Sequence, residues 1–164
     1  MIGVAGIRKV IPQRYPILLL DRVVELVPGE RLAATKAVTC SEACYERLDE
    51  ASVDRDYAYP GTLIVESWAQ AAVLLASWEN PNPDVLAGKV VLAGSISNVT
   101  FGNPVYPGDV LEHRVRLVKV VGETVILEGE TVVGDEPVMR LGQFVQTLRP
   151  LDALRPAEPA PAGV

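Results

Sequence analysis

Residues 62–78, TLIVESWAQAAVLLASW, constrain this chain more than any other stretch. Pro60-Gly61 precedes them and Asn80-Pro81-Asn82-Pro83 follows, which reads as a helix with a marked start and stop. Leu, Ile, Val, Ala and Trp fall on almost every side of that helix, so little of it can face water. Such a helix must be enclosed by the rest of the chain. Two long polar side chains interrupt it, Glu66 and Gln70, one helical turn apart on a shared face. A lone carboxylate in apolar surroundings is costly unless it is satisfied, so Glu66 asks for a reason.

The remaining sequence supplies strands for the enclosure. Residues 21–27 (DRVVELV) and 31–38 (RLAATKAV) read as a hairpin across Pro28-Gly29-Glu30. The apolar run before them contains Pro16, which does not suit a helix interior, so it reads as a buried entry segment. Residues 41–56 are polar and hold six acidic side chains, with a short helix predicted at 41–48 behind a Ser41 cap and a loop beyond it. After the long helix, strands are expected at 90–99, from 111, at 124–133 and at 139–148. Turns separate them at Pro107-Gly108-Asp109, Gly122 and Gly134-Asp135-Glu136-Pro137. In the second of these strands Leu111, His113, Val115 and Leu117 share one face, opposite Glu112, Arg114 and Arg116. Two strands, one helix and an antiparallel meander predict an α+β fold, a curved sheet wrapped round the central helix as a single domain over 1–149. A helix apolar on all sides also needs cover from a second copy or partner. Residues 150–164 are rich in Pro and Ala and are expected to be a disordered tail.

Bulk properties narrow the function classes. A net charge of −6 does not suit a nucleic-acid binder, which needs clustered Lys and Arg. No run approaches the roughly 20 apolar residues of a membrane span, and the opening residues lack a secretion signal, so a cytoplasmic protein is expected. Cys40 and Cys44 do not form a CxxC motif, and with His113 the only histidine a zinc site is short of ligands. Neither a metal nor a nucleotide is implied.

Three segments, IPQRYPILLLDRVVEL, YPGTLIVESWAQAA and SNVTFGNPVYPGD, together resemble the hotdog-fold 3-hydroxyacyl-[acyl-carrier-protein] dehydratases over residues 10–148. The resemblance implies a hotdog dimer whose active sites pair a histidine of one subunit with a glutamate on the helix of the other. It implies no cofactor beyond the phosphopantetheine of an acyl carrier protein that carries the 3-hydroxyacyl substrate. Glu66 matches the catalytic glutamate and Gln70 a substrate-pocket glutamine. Gly61 matches the glycine whose backbone N–H polarises the thioester carbonyl, a placement that suits developing negative charge. Candidates for docking the acidic carrier include the basic residues Arg14, Arg22 and Lys89.

One departure outweighs these matches. The family histidine stands fourteen residues before the glutamate in a His-Phe-Pro-Gly motif, and here that position is Ser52, in Ser52-Val53-Asp54-Arg55. No histidine occurs before His113, and Gln13 replaces another histidine common in the family. An unassisted serine is too weak a base for a thioester α-proton. Asp54 and Asp56 read as solvated loop charges, His113 as an inward core histidine, and Tyr57 and Tyr59 as packing residues. The favoured expectation is a dehydratase-like subunit of fatty-acid or polyketide biosynthesis, lending Glu66 to a heterodimer with a histidine-bearing hotdog partner rather than forming a homodimer. The alternatives are a non-catalytic acyl-chain-binding or scaffolding protein, and a homodimeric thioesterase or isomerase using Glu66 with a loop acid.

Overall fold

The computed structural model describes residues 1–85 and 89–154. A short strand β1 (Ile2–Gly3) runs into a single helical turn α1 (Val4–Ile7), followed by β2 (Arg22–Val27) and β3 (Arg31–Ala37). The long helix α2 spans Gly61–Ala76, and four long strands complete the chain: β4 (Lys89–Phe101), β5 (Val110–Val121), β6 (Thr124–Val133) and β7 (Glu136–Pro150). All seven strands join one sheet in the order β1-β2-β3-β5-β6-β7-β4, and every pairing is antiparallel. The sheet curves round α2, which packs on β3, β5, β6 and β7. This is the enclosure that an all-round apolar helix demands, and it buries Ile64, Trp68, Ala71, Ala72, Leu74 and Leu75.

Alternation on β5 places Leu111, His113 and Val115 inward and leaves Arg114 and Arg116 exposed, as their parity predicts. At the centre, the Trp68 ring meets Phe144 edge-on at 5.8 Å between centroids, and its Nε1–H donates to the Arg114 carbonyl at 3.2 Å. Gly129 makes that approach feasible, because a Cβ there would lie 1.9 Å from the same carbonyl oxygen. The register of β6 against β7 shifts between Leu127 and Gly129, next to this contact.

Several local expectations change. The four last strands are not a simple meander: β4 skips β5 and pairs with β7, while β3 pairs with β5 across the point where α2 intervenes in sequence. The predicted helix at 41–48 is a single 3-10 turn, Ala43–Tyr45, with Glu42 rather than Ser41 at its N-cap, and a second 3-10 turn spans Asp54–Tyr57. That acidic segment also packs more than its polarity suggests, since Tyr45 is buried and Leu48 rests on the core. The entry segment is buried only from its later residues: Tyr15, Pro16 and Ile17 are exposed, whereas Leu19 and Leu20 are not. At the other end Pro150 closes β7 opposite Lys89 and Leu151–Leu154 form a 3-10 turn. The rest of the expected tail, 155–164, lies outside the described residues. No helix among them is long and apolar enough to cross a membrane.

Candidate active site around Glu66

Glu66 and Gln70 meet as their spacing requires: Gln70 Nε2 donates to Glu66 Oε1 at 2.9 Å. The same amide nitrogen donates to the Ile17 carbonyl at 2.6 Å, and Gln70 Oε1 accepts from the Leu19 N–H at 2.9 Å. Gln70 is fully buried, and its amide is committed to these three bonds. It therefore ties the helix to the entry segment and holds the carboxylate, and little of it remains to grip a ligand. Both residues line a cavity of about 250 Å³ whose other walls are mostly apolar, among them Val65, Val73, Val91 and Phe144.

A second cavity of about 730 Å³ opens at the start of α2, lined by Gly61, Tyr59, Phe101 and Val105 among others. Thr62 and Val65 line both spaces, so the two adjoin along the first turns of the helix. No side chain caps that helix; Pro60 is its N-cap residue, and its carbonyl accepts from Leu63 and Ile64. The positive end of the helix dipole thus faces the cavity unneutralised by a side chain. Gly61 lies against the Phe101 ring, where an added Cβ would sit 2.9 Å from Cε1. Phe101 reaches this place because β4 returns along β7 and ends with Phe101 opposite Met139. Sequence reading missed it, since no local pattern links residue 101 to residue 61.

The remaining sequence-derived residues are held elsewhere. Ser52 receives the Asp49 N–H on its Oγ at 3.0 Å, and its own N–H donates to the Asp49 carbonyl. Asp56 accepts from the Val53 N–H at 2.9 Å, and Asp54 is exposed. Among the described residues none from 41–57 lines the Glu66 cavity. His113 is completely buried: Nε2 is 2.5 Å from Ser67 Oγ and Nδ1 is 2.9 Å from Thr131 Oγ1. Burial, with a smaller contribution from nearby Lys36, lowers its pKa to about 3, so the ring is neutral. Lys36 itself is buried against Glu42 at 2.7 Å and lies over the Tyr59 ring. Burial, followed by Glu42, pushes the Tyr59 phenol well above its ordinary value.

Of the basic docking candidates, Arg14 has its guanidinium on the carbonyls of Ile11, Gln13 and Arg8 at 2.8, 2.7 and 3.0 Å, which makes it a clamp on its own segment. Lys89 pairs with Glu123, and Arg22 contacts Met1 Sδ at 3.6 Å. Cys40 and Cys44 are both free thiols. Among the described residues no cluster of three or more His, Cys, Asp or Glu side chains is arranged to hold a metal.

A curved antiparallel sheet closed round one buried helix defines the hotdog class. Solved structures agree at the level of fold. The chain is similar to the dehydratase heterocomplex ApeI:P from Xenorhabdus doucetiae, with a TM-score of 0.72 at 16% identity, covering 90% of this chain and 93% of that one. It is also similar to a mutant of the fluoroacetyl-CoA-specific thioesterase FlK, with a TM-score of 0.60 at 16% identity, covering 79% and 92%. Sequence is more specific. The 3-hydroxyacyl-[acyl-carrier-protein] dehydratase FabZ of Campylobacter fetus is 41% identical over 140 residues, 84% of this chain and 92% of that protein. FabZ of Clostridium kluyveri is 37% identical over 136 residues, 82% and 88%. Residues 11–141 match the FabA-like domain, and the chain belongs to that family.

Proposed function

We propose that this protein is a subunit of a 3-hydroxyacyl-[acyl-carrier-protein] dehydratase, in fatty-acid or polyketide assembly, that supplies the carboxyl half of an active site shared with a histidine-bearing hotdog partner. One observation carries this reading. Glu66 stands in a cavity with a dedicated hydrogen-bond partner, while the chain's single histidine is sealed in the core with both ring nitrogens occupied. The described residues thus offer an acid at the cavity and no base.

In the proposed reaction the partner's histidine takes the C2 proton of the 3-hydroxyacyl thioester. The electron pair of that C–H bond forms the C2–C3 double bond as the C3–O bond breaks. Glu66, entering as the carboxylic acid, protonates the departing hydroxyl, which leaves as water. The Gly61 N–H at the uncapped helix start stabilises charge on the thioester oxygen, and the adjoining cavities would let one chain reach from Gly61 to Glu66. Ser52 marks the position at which this chain does not provide the histidine.

The free edge of the sheet supports the pairing. β4 is the terminal strand, thirteen residues long, with Ile96 and Phe101 exposed along it. A long unpaired edge of this kind is a template for another strand. The relative in fold from Xenorhabdus doucetiae is itself a dehydratase heterocomplex, a precedent for two unlike hotdog chains.

The test is the intact mass of a 3-hydroxyacyl carrier protein incubated with this chain, alone and co-expressed with a histidine-bearing hotdog protein encoded nearby. Loss of one water only with the partner is expected, with Glu66→Gln slowing it at least about 100-fold. Dehydration by the chain alone would overturn the shared site, and no dehydration in either case would move the reading to acyl binding without turnover.

A further inference from the structure

Gln13 takes no part in the steps above, yet its surroundings are unusual. Its amide oxygen is buried and has no hydrogen-bond partner among the described residues, and the side chain lines the same cavity as Glu66. A buried acceptor without a donor is costly, so a native one asks for a ligand or a role. The backbone beneath it is firmly held: Arg14 bridges the carbonyls of Gln13 and Ile11, and the Val10 carbonyl accepts from the Asn82 N–H at 3.0 Å. The amide is therefore presented from a fixed segment.

Apart from Thr62 at the helix start, the other polar side chains of the cavity are Gln70 and Glu66, and they define what is missing. Gln70 is committed to Ile17, Leu19 and Glu66. Glu66 as an acid has one proton to donate. A hydroxyl placed between Glu66 and Gln13 would accept that proton on its oxygen and give its own hydrogen to the Gln13 amide oxygen. A methylene has no such hydrogen.

We propose that Gln13 is a substrate-positioning residue, whose amide oxygen accepts a hydrogen bond from the acyl chain's hydroxyl in the Glu66 cavity and so selects 3-hydroxyacyl chains over saturated ones. The inference rests on the function proposed above. It adds a second contact to the leaving group: as the C3–O bond breaks and the hydroxyl becomes water, its hydrogens become better donors, and the bond to Gln13 strengthens along the reaction.

Binding to the isolated chain tests it, because on that reading the isolated chain lacks the base and cannot consume the ligand. Calorimetric titration would compare 3-hydroxyacyl-pantetheine with saturated acyl-pantetheine over a short series of chain lengths. The wild type is expected to favour the hydroxylated ligand roughly fivefold to tenfold, the worth of one neutral hydrogen bond. Gln13→Met keeps the length and removes the acceptor, and should cut the preference severalfold by weakening only the hydroxylated ligand, any remainder being the contact to Glu66. Gln13→Leu guards against an effect peculiar to Met, and thermal unfolding of both variants checks the fold. A preference undiminished in both variants, or an equal loss for both ligands, overturns the role of Gln13 and leaves the shared-site reading standing. Failure of every acyl-pantetheine to bind the wild type overturns both.

Discussion

Gln70 and Glu66 are joined across one turn of the central helix, and the same Gln70 amide reaches the backbone of Ile17 and Leu19. The carboxylate is thereby registered against a segment some fifty residues away in sequence. Gln70→Leu fits the volume but leaves the Leu19 N–H and the Ile17 carbonyl unpaired in a buried setting. It should cost about 2–4 kcal/mol in urea unfolding, and dehydration by the complex with its partner should fall with it. Gln70→Glu fails differently: it keeps the length but has no N–H to donate to Glu66 and the Ile17 carbonyl.

Gly61 is predicted to matter for turnover more than for stability. In Gly61→Ala the new methyl meets the Phe101 ring, which is half exposed and free to swing. Unfolding free energy should therefore stay within about 0.5 kcal/mol of wild type. The displaced ring and the added methyl both intrude on the cavity at the helix start. Dehydration with the partner should drop about tenfold or more, measured as the rate of water loss at saturating substrate. Pairing the change with Phe101→Ala should recover part of that loss.

His113 gives the fold an acid limit. Its folded pKa lies near 3 and its ordinary value near 6.5, so the unfolded chain takes up a proton that the native core refuses. The stability this contributes is complete above about 6.5 and is lost as pH falls from there toward about 3, at up to about 1.4 kcal/mol per pH unit. His113→Gln removes the titration while keeping polar contact with Ser67 and Thr131. Chemical denaturation at pH 7 and pH 5 should show a shallower loss in the variant than in the wild type.

The outer edge of β4 is predicted to be an association surface. Ile96→Lys places a charge on the exposed strand edge, outside the hydrophobic core although Ile96 also lines the rim of the Glu66 cavity, so the readout is association rather than turnover. Sedimentation should shift the protein, or its complex with the partner, toward free subunits. An unchanged sedimentation coefficient would place the association surface elsewhere.

The enclosed helix, the inward parity of β5 and most turns were legible because each rests on local periodicity or on Pro and Gly placement. What escaped is non-local. Nothing in the sequence of 89–101 says that this strand pairs with β7 rather than with its neighbour β5, since both partners offer apolar alternation. The packing of Tyr45 was hidden in a segment whose acidic side chains dominate its composition. At the site, the Glu66–Gln70 pair followed from helical spacing, whereas the anchor on Ile17 and Leu19 and the Phe101 ring over Gly61 arise only when distant strands close round the helix. Gln13 stood out as a substitution within a motif, but its orphaned oxygen is a property of the folded cavity.

The burial of His113 also turns this protein into a clean reporter. Histidine-selective acylating reagents need access to a ring nitrogen, and the one imidazole here has no solvent exposure. In a complex with a histidine-bearing subunit, every labelled imidazole and every increment of lost turnover would be read from the other chain. The silent core of one subunit makes the chemistry of its neighbour countable.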